Sequence, residues 1–206
     1  MPKGKYIVIE GNDGTGKSTQ VELLAKWLKS EFNIDTFVTH EPDGPGIAGR
    51  IRSIIKNGNL DRDGDTNLLL FTAARHEIWR HASAKLTEGT WVISARNYLS
   101  TLAYQGYGEG IELKKIMQTT QAFTGDGYTK PDHTIVLSLS HTERKRRINE
   151  RGELENKDTF ESRGSKFQES VDAGYENIAA EYNFPVIDAS QSIDVIQEEI
   201  RQIVRP

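Results

Sequence analysis

The chain has 206 residues, a formal net charge of −4, 36% hydrophobic residues and 27% charged residues. This balance is typical of one soluble α/β domain spanning residues 1–206, and it excludes a disordered chain. The acidic charge argues against broad nucleic-acid binding, and no apolar run approaches the ~18 residues that span a bilayer. Cysteine is absent, which excludes disulfides and thiolate metal sites. Because the first residues lead straight into a strand without a signal peptide, we expect a cytoplasmic enzyme.

Apolar strands alternate with helices along the chain, which predicts an α/β fold with a doubly wound parallel sheet of about five strands. The predicted strands are residues 5–10, 35–39, 91–94, 134–139 and 185–188. The predicted helices are residues 17–31, 47–56, 66–86, 113–123, 142–151, 160–182 and 193–204, with a further helix beginning over 100–104. Three glycines between residues 106 and 110 predict a loop.

Residues 11–18 match G-x-x-x-x-G-K-[ST] position for position, between the first strand and the first helix. In such a loop the glycines let backbone N–H groups cradle phosphates, and the helix adds its positive dipole end. Lys17 would reach the β- and γ-phosphates, and the Ser18 hydroxyl would bind Mg²⁺. A chance glycine-rich turn is the alternative, but the amphipathic helix that follows argues against it. The motif therefore predicts a nucleoside triphosphate site.

Other segments decide which class of P-loop protein this is. The N-K-x-D signature of GTPases is absent, and the strand over residues 91–94 runs into Ala95 rather than into the metal-binding Asp of larger ATPases. Phosphoryl transfer to a second nucleotide needs cations around two facing phosphates, which Arg75, Arg96 and the basic segment 144–151 supply. Phe71 and Arg75 are four residues apart, so one can stack on a base while the other donates to its edge. A core position for Phe71 is the alternative.

Several segments occur together in the order of one family: residues 9–19, 41–44, 69–75, 100–106, 151–154 and 186–190. On these residues the chain resembles the thymidylate kinases from residue 7 to about residue 200. The resemblance implies a P-loop kinase fold with a mobile lid, here about residues 144–163. It also implies transfer of the ATP γ-phosphate to dTMP with Mg²⁺, which gives dTDP and ADP for dTTP synthesis, and assembly as a homodimer.

The resemblance also assigns site residues by position. The ATP-binding positions are Gly11, Asn12, Asp13, Gly14, Thr15, Gly16, Lys17, Ser18, Thr19, Ala189 and Ser190, the last two lining the adenine pocket. The acceptor positions are Asp13, Glu41, Pro42, Phe71, Arg75, Arg96, Thr101, Tyr104 and Gln105. The catalytic positions are Asp13, Lys17, Arg96, Arg147 and Arg151, and Ser18 is the metal-binding position.

Individual roles follow from the same resemblance. The family stacks the position of Phe71 on thymine and uses that of Arg75 to hydrogen-bond the base. Tyr104 would lie under the sugar and disfavour a ribose 2′-hydroxyl, and Asp13 would lie near the 3′-hydroxyl. Arg96 would hold the acceptor phosphate, a role that suits a planar donor fork at a strand end.

The source of the lid-side cation divides this family into two types. One type carries a basic residue inside the P-loop, and the other keeps glycine there and uses lid arginines. Gly14, together with Arg147 and Arg151, resembles the second type, which many bacteria have. A solvated basic face is the alternative for neighbouring residues such as Lys145 and Arg146.

The chain departs from the family pattern at several positions. Ala95 stands where the family has an Asp near the metal ion. Either Asp13 or Glu10 compensates, or metal placement relies on Ser18 and the phosphates, or turnover is slow. His40 stands where many members carry arginine.

The predicted lid segment also departs from the family pattern. Asn156 stands at a position that often holds arginine, and the segment that follows is a few residues longer. Arg163 is a candidate for the displaced lid cation.

Three alternative functions stay open at the level of sequence. One is a deoxynucleotide kinase of relaxed specificity, and another is a deoxynucleoside kinase that uses Glu41 as its base. The third is a non-catalytic nucleotide-binding scaffold, because Ala95 removes a carboxylate from the site.

Overall fold

The structure is a computed structural model that describes residues 3–150, 160 and 163–206. Its strands are β1 (Tyr6–Glu10), β2 (Thr36–His40), β3 (Trp91–Ala95), β4 (His133–Ser138) and β5 (Val186–Asp188). These strands form one parallel sheet in the order β2-β3-β1-β4-β5. The predicted five-stranded parallel sheet is confirmed.

Helices cover both faces of this sheet. They are α1 (Lys17–Phe32), α2 (Ile47–Lys56), α3 (Gly64–Thr87), α4 (Tyr98–Thr101), α5 (Leu113–Thr124), α6 (Asp126–Thr129), α7 (His141–Glu150), α8 (Ser165–Tyr182) and α9 (Ile193–Val204). A π-helical segment, Leu102–Gly108, continues α4. No helix in the described part of the chain is long and apolar enough to cross a membrane.

Alternate residues of β1 belong to two hydrophobic cores. Ile7 and Ile9 pack in the core that α1 and α9 cover, whereas Tyr6 and Val8 pack in the core that includes α3 and α8. All five residues of β1 are buried, as expected for the central strand of a parallel sheet with helices on both faces. Glu10, the last of them, is the buried carboxylate at the end of this strand.

The loop predicted from Gly106, Gly108 and Gly110 starts later than predicted, because the chain stays helical through Gly108 and is non-helical only over residues 109–112. A Cβ on Gly106 would lie 2.4 Å from Leu113 Cδ2, and one on Gly108 would lie 2.5 Å from Phe167 Cε2. Both glycines therefore permit close packing of neighbouring segments instead of breaking the helix.

The predicted helix over residues 160–182 starts late, because α8 begins at Ser165, directly after Gly164. The short helix α6 was not predicted. Residues 151–159 and 161–162, which include the predicted lid residues Arg151 and Asn156, lie outside the described residues.

The carboxyl ends of β1, β2 and β3 lie side by side, since these three strands are parallel neighbours with Ile9 and His40 both in register with Ala95. The P-loop follows β1, Glu41 follows β2 and Arg96 follows β3. This edge of an open parallel sheet is where such folds bind ligands.

Candidate active site

The P-loop runs from Gly11 to the start of α1, and two of its glycines are required by their surroundings. Gly11 has φ +139°, and a Cβ there would lie 2.4 Å from the carbonyl oxygen of Leu137. Gly14 has φ +87°, and a Cβ there would lie 3.2 Å from Cγ of Arg144 on α7. The loop therefore passes closely between the sheet and the helix at the base of the predicted lid.

Asn12 organises the interior of the loop. Its carbonyl oxygen accepts hydrogen bonds from Thr15 Oγ1 at 2.9 Å and from Lys17 Nζ at 2.8 Å. Its side-chain Oδ1 accepts from the backbone N–H of Asp13 and from the Tyr104 hydroxyl, both at 2.7 Å. Asn12 thus connects the P-loop to Tyr104, one of the predicted acceptor positions.

One cavity brings most of the predicted site residues together. Its lining includes the predicted residues Asp13, Gly14, Gly16, Lys17, Ser18, Thr19, Glu41, Pro42, Phe71, Arg75, Arg96, Tyr104 and Gln105. The predicted residues that do not line it, among those the structure describes, are Gly11, Asn12, Thr15, Thr101, Arg147, Ala189 and Ser190.

Arg96 and Asp13 form an ion pair at the end of β3. Arg96 Nη2 donates to Asp13 Oδ1, and Nη1 donates to Ser100 Oγ at 3.0 Å and to the Tyr175 hydroxyl at 3.1 Å. Burial raises the pKa of Asp13, but Arg96 and Lys17 outweigh it and hold that pKa well below its usual range. Asp13 is therefore ionised at every working pH.

The backbone of Arg96 is unusual. Its φ is +77°, in the left-handed region that a residue with a side chain adopts at a cost of about 1–3 kcal/mol. Its N–H donates to the carbonyl of Ile9 at 3.0 Å, and its guanidinium is held on several sides. Strain kept in place by so many contacts is typical of a functional position.

A second ion pair, this one fully buried, joins Arg75 of α3 to Glu41, with Nε and Oε2 3.0 Å apart. Arg75 Nη1 also donates to Thr101 Oγ1 at 2.6 Å, and Cζ lies 5.1 Å from the centre of the Phe71 ring. Thr101, although behind the cavity wall, therefore helps to orient Arg75. Phe71 and Arg75 lie on one helix face, as their spacing predicts.

Burial raises the pKa of Glu41 to about 7, and the opposing effects of Arg75 and of a hydrogen bond from Tyr128 offset this only in part. The charge of Glu10 nearby adds to the rise. Glu41 therefore titrates near neutral pH, unlike Asp13.

Comparisons with known proteins agree with this geometry. Residues 9–200 match the family model described as thymidylate kinase. The chain is 39% identical to a thymidylate kinase of Prochlorococcus marinus (strain AS9601), covering 97% of this chain and 95% of the relative. It is 34% identical to one of Carboxydothermus hydrogenoformans, covering 97% and 96%. The chain belongs to the thymidylate kinase family.

A solved structure supports the same assignment. The crystal structure of a thymidylate kinase from Ehrlichia chaffeensis superposes with a TM-score of 0.78 at 27% identity, and the match covers 100% of both chains. The fold is accordingly that of a P-loop kinase, and the family is one of ATP-dependent phosphotransferases.

Glu10 and Asp13 were the two sequence candidates to replace the family Asp that is missing at Ala95. Glu10 accepts hydrogen bonds from the backbone N–H of Asn97 at 2.7 Å and from Ser100 Oγ at 2.8 Å, and it does not line the cavity. Ala95 and Asp13 both line it. Of the two candidates, Asp13 is the one placed to face a ligand.

The predicted lid arginines lie apart from this cavity or beyond the described part of the chain. Arg147 Nη2 donates to the carbonyl of Ala189 at 2.9 Å, so Arg147 lies against the loop after β5. In that loop Ser190 donates its N–H and its hydroxyl to Asp188, each at 2.8 Å. Arg147, Ala189 and Ser190 therefore form one cluster.

Arg163, the candidate displaced lid cation, is paired elsewhere. Its Nη2 lies 2.7 Å from Glu109 Oε1, and its Cζ stacks over the rings of Phe160 and Phe167. In this arrangement it braces Phe160, which lines the cavity, rather than facing the cavity itself.

Sequence reasoning missed several residues of the lining. These are Arg52, Ile55 and Lys56 of α2, Ser100, and Phe160. The i, i+4 spacing of Arg52 and Lys56 was a usable signal, because it places both cations on one helix face. His40, noted as a departure, also lines the cavity, and its Nε2 lies 3.1 Å from Glu22 Oε1.

Proposed function

We propose that this chain transfers the γ-phosphate of ATP to dTMP and releases dTDP and ADP. The observation that supports the proposal is that residues predicted to bind ATP and residues predicted to bind dTMP line the same cavity. Lys17 and Ser18 of the P-loop lie on its donor side, and Phe71, Arg75 and Arg96 lie on its acceptor side. Holding two nucleotides face to face supplies most of the catalysis of phosphoryl transfer.

On the acceptor side, Phe71 stacks on thymine and Arg75 donates to a base carbonyl. Hydrogen bonds within the described residues use Nε and Nη1 of Arg75, which leaves Nη2 for the base. Gln105 is buried on the lining, and its Nε2 has no hydrogen-bond partner among the described residues, so it is a second donor for the base. Tyr104 lies under the sugar, and Pro42 closes the edge of the pocket.

On the reacting side, an oxygen of the acceptor phosphate attacks the γ-phosphorus in line. Lys17 and Arg96 neutralise the charge that develops, and Arg151 is assigned the same task from the lid. Arg147 would have to leave the Ala189 carbonyl to join them. Asp13 fixes the guanidinium of Arg96 in place. No strong general base is needed, because a phosphate monoester is already largely ionised at neutral pH.

The P-loop fits a magnesium ion. Ser18 lies exposed on the cavity lining and offers a hard hydroxyl oxygen, and no group of three or more His, Cys, Asp or Glu suited to a metal occurs in the described residues. Mg²⁺ is ordinarily bound by one or two protein oxygens together with phosphates and waters. When bound, the ion would help to neutralise the charge of the ATP phosphates.

The remaining contacts with ATP come from the P-loop backbone and from the loop after β5. The N–H groups of the loop bind the phosphates, and the side chains that shape it follow the family pattern at Gly11, Asn12, Gly14, Thr15, Gly16 and Thr19. Ala189 and Ser190 line the adenine pocket.

The alternative functions lack support. A deoxynucleoside kinase would use Glu41 as its base, but Glu41 already accepts hydrogen bonds from Arg75 and Tyr128. A non-catalytic scaffold would not be expected to keep Lys17, Arg96 and Arg75 on one cavity.

A steady-state comparison of dTMP, dCMP, dGMP and dUMP with ATP and Mg²⁺ tests the proposal. We expect kcat/KM to be highest for dTMP, since Arg75 and Phe71 read the base. Equal or higher kcat/KM for dCMP or dGMP would refute the assigned specificity. Tight nucleotide binding without ADP release would instead support the scaffold.

We further propose that the chain works in the cytoplasm as a single domain and forms a homodimer. Ile47 and Ile54 of α2 and Leu69 of α3 are exposed apolar side chains on two helices that pack together. Such a surface suits a symmetric contact. Light scattering of the wild type and of Leu69→Glu tests this, and a monomeric wild type would contradict it.

A further inference from the structure

Tyr128 lies in the short helix α6, outside every motif that points to the active site. Its side chain is fully buried, and its ring packs with those of Tyr6, Trp79 and Tyr98. From this aromatic cluster its hydroxyl donates a hydrogen bond of 2.6 Å to Glu41 Oε2. A core tyrosine thus reaches the wall of the acceptor pocket.

Two donors meet at the same carboxylate oxygen. Arg75 Nε lies 3.0 Å from Glu41 Oε2, the atom that also accepts from Tyr128. Glu41 therefore fixes one side of the Arg75 guanidinium while Thr101 fixes another. The position of Arg75 over Phe71 depends on where Glu41 stands, and Tyr128 holds Glu41 from behind.

We propose that Tyr128 is a positioning residue for base recognition, which keeps Glu41 charged and aligned so that Arg75 points to the acceptor base. The inference rests on the proposed function, because it assigns Tyr128 a role in the same acceptor site. Tyr128 itself does not touch the nucleotide, since it does not line the cavity.

The charges around Glu41 explain why the hydroxyl of Tyr128 affects the ionisation of this carboxylate. Burial raises the pKa of Glu41 to about 7, and Arg75 and Tyr128 act against that rise. Glu10 from β1 faces it with a like charge, and Tyr6, also from β1, is the other titratable group nearby. With its pKa this close to the working pH, the loss of one donor to the carboxylate changes the fraction of enzyme in which Glu41 is ionised.

The test is the pH profile of kcat/KM for dTMP in Tyr128→Phe. We expect the acidic limb to move to higher pH by about one unit, since a hydrogen bond to a charged group has this order of effect. Because the pKa of Glu41 is about 7 in the wild type, this corresponds to a roughly fivefold lower kcat/KM at pH 7 and about tenfold at lower pH, with the two profiles converging above about pH 9. The change should appear in KM for dTMP, while KM for ATP stays the same. Ionisation of dTMP itself is common to both enzymes and cancels.

Three controls separate positioning from packing. Tyr98→Phe removes a hydroxyl of the same aromatic cluster that donates to the carbonyl of Thr129 at 3.3 Å instead of to Glu41. This variant should leave the pH profile of kcat/KM unchanged. Placing 3-fluorotyrosine at position 128 makes a more acidic donor and should move the limb to lower pH. In a Glu41→Gln background, Tyr128→Phe should no longer displace the limb.

The outcomes are distinct. A Tyr128→Phe profile that superposes on the wild type, or a displacement that persists in the Glu41→Gln background, overturns the positioning role. If Tyr128→Phe does not fold, the enzyme with 3-fluorotyrosine at position 128 provides the test. An acidic limb of its kcat/KM profile that stays in place or moves to higher pH overturns the positioning role of Tyr128. A wild type that does not phosphorylate dTMP refutes the proposed function instead.

Discussion

The site contains two carboxylate–arginine pairs, one half-buried and one fully buried, that behave oppositely. Asp13–Arg96 lies at the P-loop, and its carboxyl has a pKa well below the usual range. Glu41–Arg75 lies at the base end of the same cavity, and burial raises the pKa of its carboxyl to about 7. The pairing is similar, but 27% of the Asp13 side chain is exposed against 2% for Glu41, and the groups around each pair differ as well.

Exposure to solvent and the number of nearby cations both contribute to the difference in pKa. Asp13 is stabilised by two cations, Arg96 and Lys17, and by the Tyr104 hydroxyl, whereas Glu41 is stabilised by Arg75 and the Tyr128 hydroxyl and faces the like charge of Glu10. Burial costs a carboxylate several kcal/mol, and one partner compensates for this less completely than two. The end of the cavity proposed to bind phosphates therefore carries fixed charges, and the end proposed to bind the base carries a charge that depends on pH.

Removing the fixed cation should have the largest effect. We expect Arg96→Ala to lower kcat/KM for dTMP by roughly 10²–10³-fold, because it deletes the proposed donor to the reacting phosphates and removes the arginine partner of Asp13. Steady-state kinetics measures this. Arg146→Ala is the matched control, since its ion pairs with Glu143 and Glu150 are exposed and should change kcat/KM less than twofold. A loss below tenfold in Arg96→Ala would contradict the assigned role.

The Glu41–Arg75 pair should make the free energy of unfolding depend on pH near neutrality. In the unfolded chain the pKa of Glu41 is near 4.5, and in the folded chain it is about 7. Between these values the folded state holds more protons, so the free energy of unfolding falls as pH rises. Glu41→Gln should remove about 2–3 kcal/mol of that fall between pH 5 and pH 8.

Urea unfolding of both proteins at the two pH values measures this difference. Asp65→Asn, which removes one partner of an exposed ion pair with Lys115, is the control and should not flatten the curve. Parallel pH dependence in the wild type and Glu41→Gln would mean that Glu41 does not titrate near neutral pH.

Replacing Arg75 tests the end of the cavity that is proposed to bind the base. Arg75→Lys keeps the charge but loses the fork that contacts Glu41 and Thr101 together, so KM for dTMP should rise about 10- to 100-fold with little change in kcat. KM for ATP should not change. Arg80→Lys, at an exposed ion pair on the same helix, is the control. A change confined to kcat would place Arg75 at the reacting phosphates instead.

Sequence patterns predict regular elements well where the ends carry local signals. The bounds of α2 and α9 were predicted to the residue, since turn-forming residues flank one and Ser192 caps the other. The prediction was wrong at Gly106 and Gly108, where glycine serves contacts with Leu113 and Phe167. Those contacts depend on tertiary packing, which no local pattern contains.

The same limit applies to the site. The P-loop and the spacing of Phe71 and Arg75 are local, so the sequence indicates them. The partner of Glu41 is not local, because Tyr128 lies 87 residues away in a short helix without a motif. Likewise the contact of Arg147 with Ala189 depends on how α7 meets the loop after β5.

The smallest expected effect concerns the carboxylate that the family has at the position of Ala95. Among the described residues the cavity lining offers only Asp13 and Glu41 as carboxylates, and each is paired with an arginine. We expect Ala95→Asp to add an oxygen suited to Mg²⁺ and to lower the Mg²⁺ concentration for half-maximal rate about threefold, with a similar rise in kcat. Ala95→Asn, of nearly the same shape without the charge, should give no such gain. Equal rates for Ala95→Asp and the wild type would mean that Asp13 and Ser18 already meet the needs of the metal, and that the fixed-charge end of the site is complete without the family Asp.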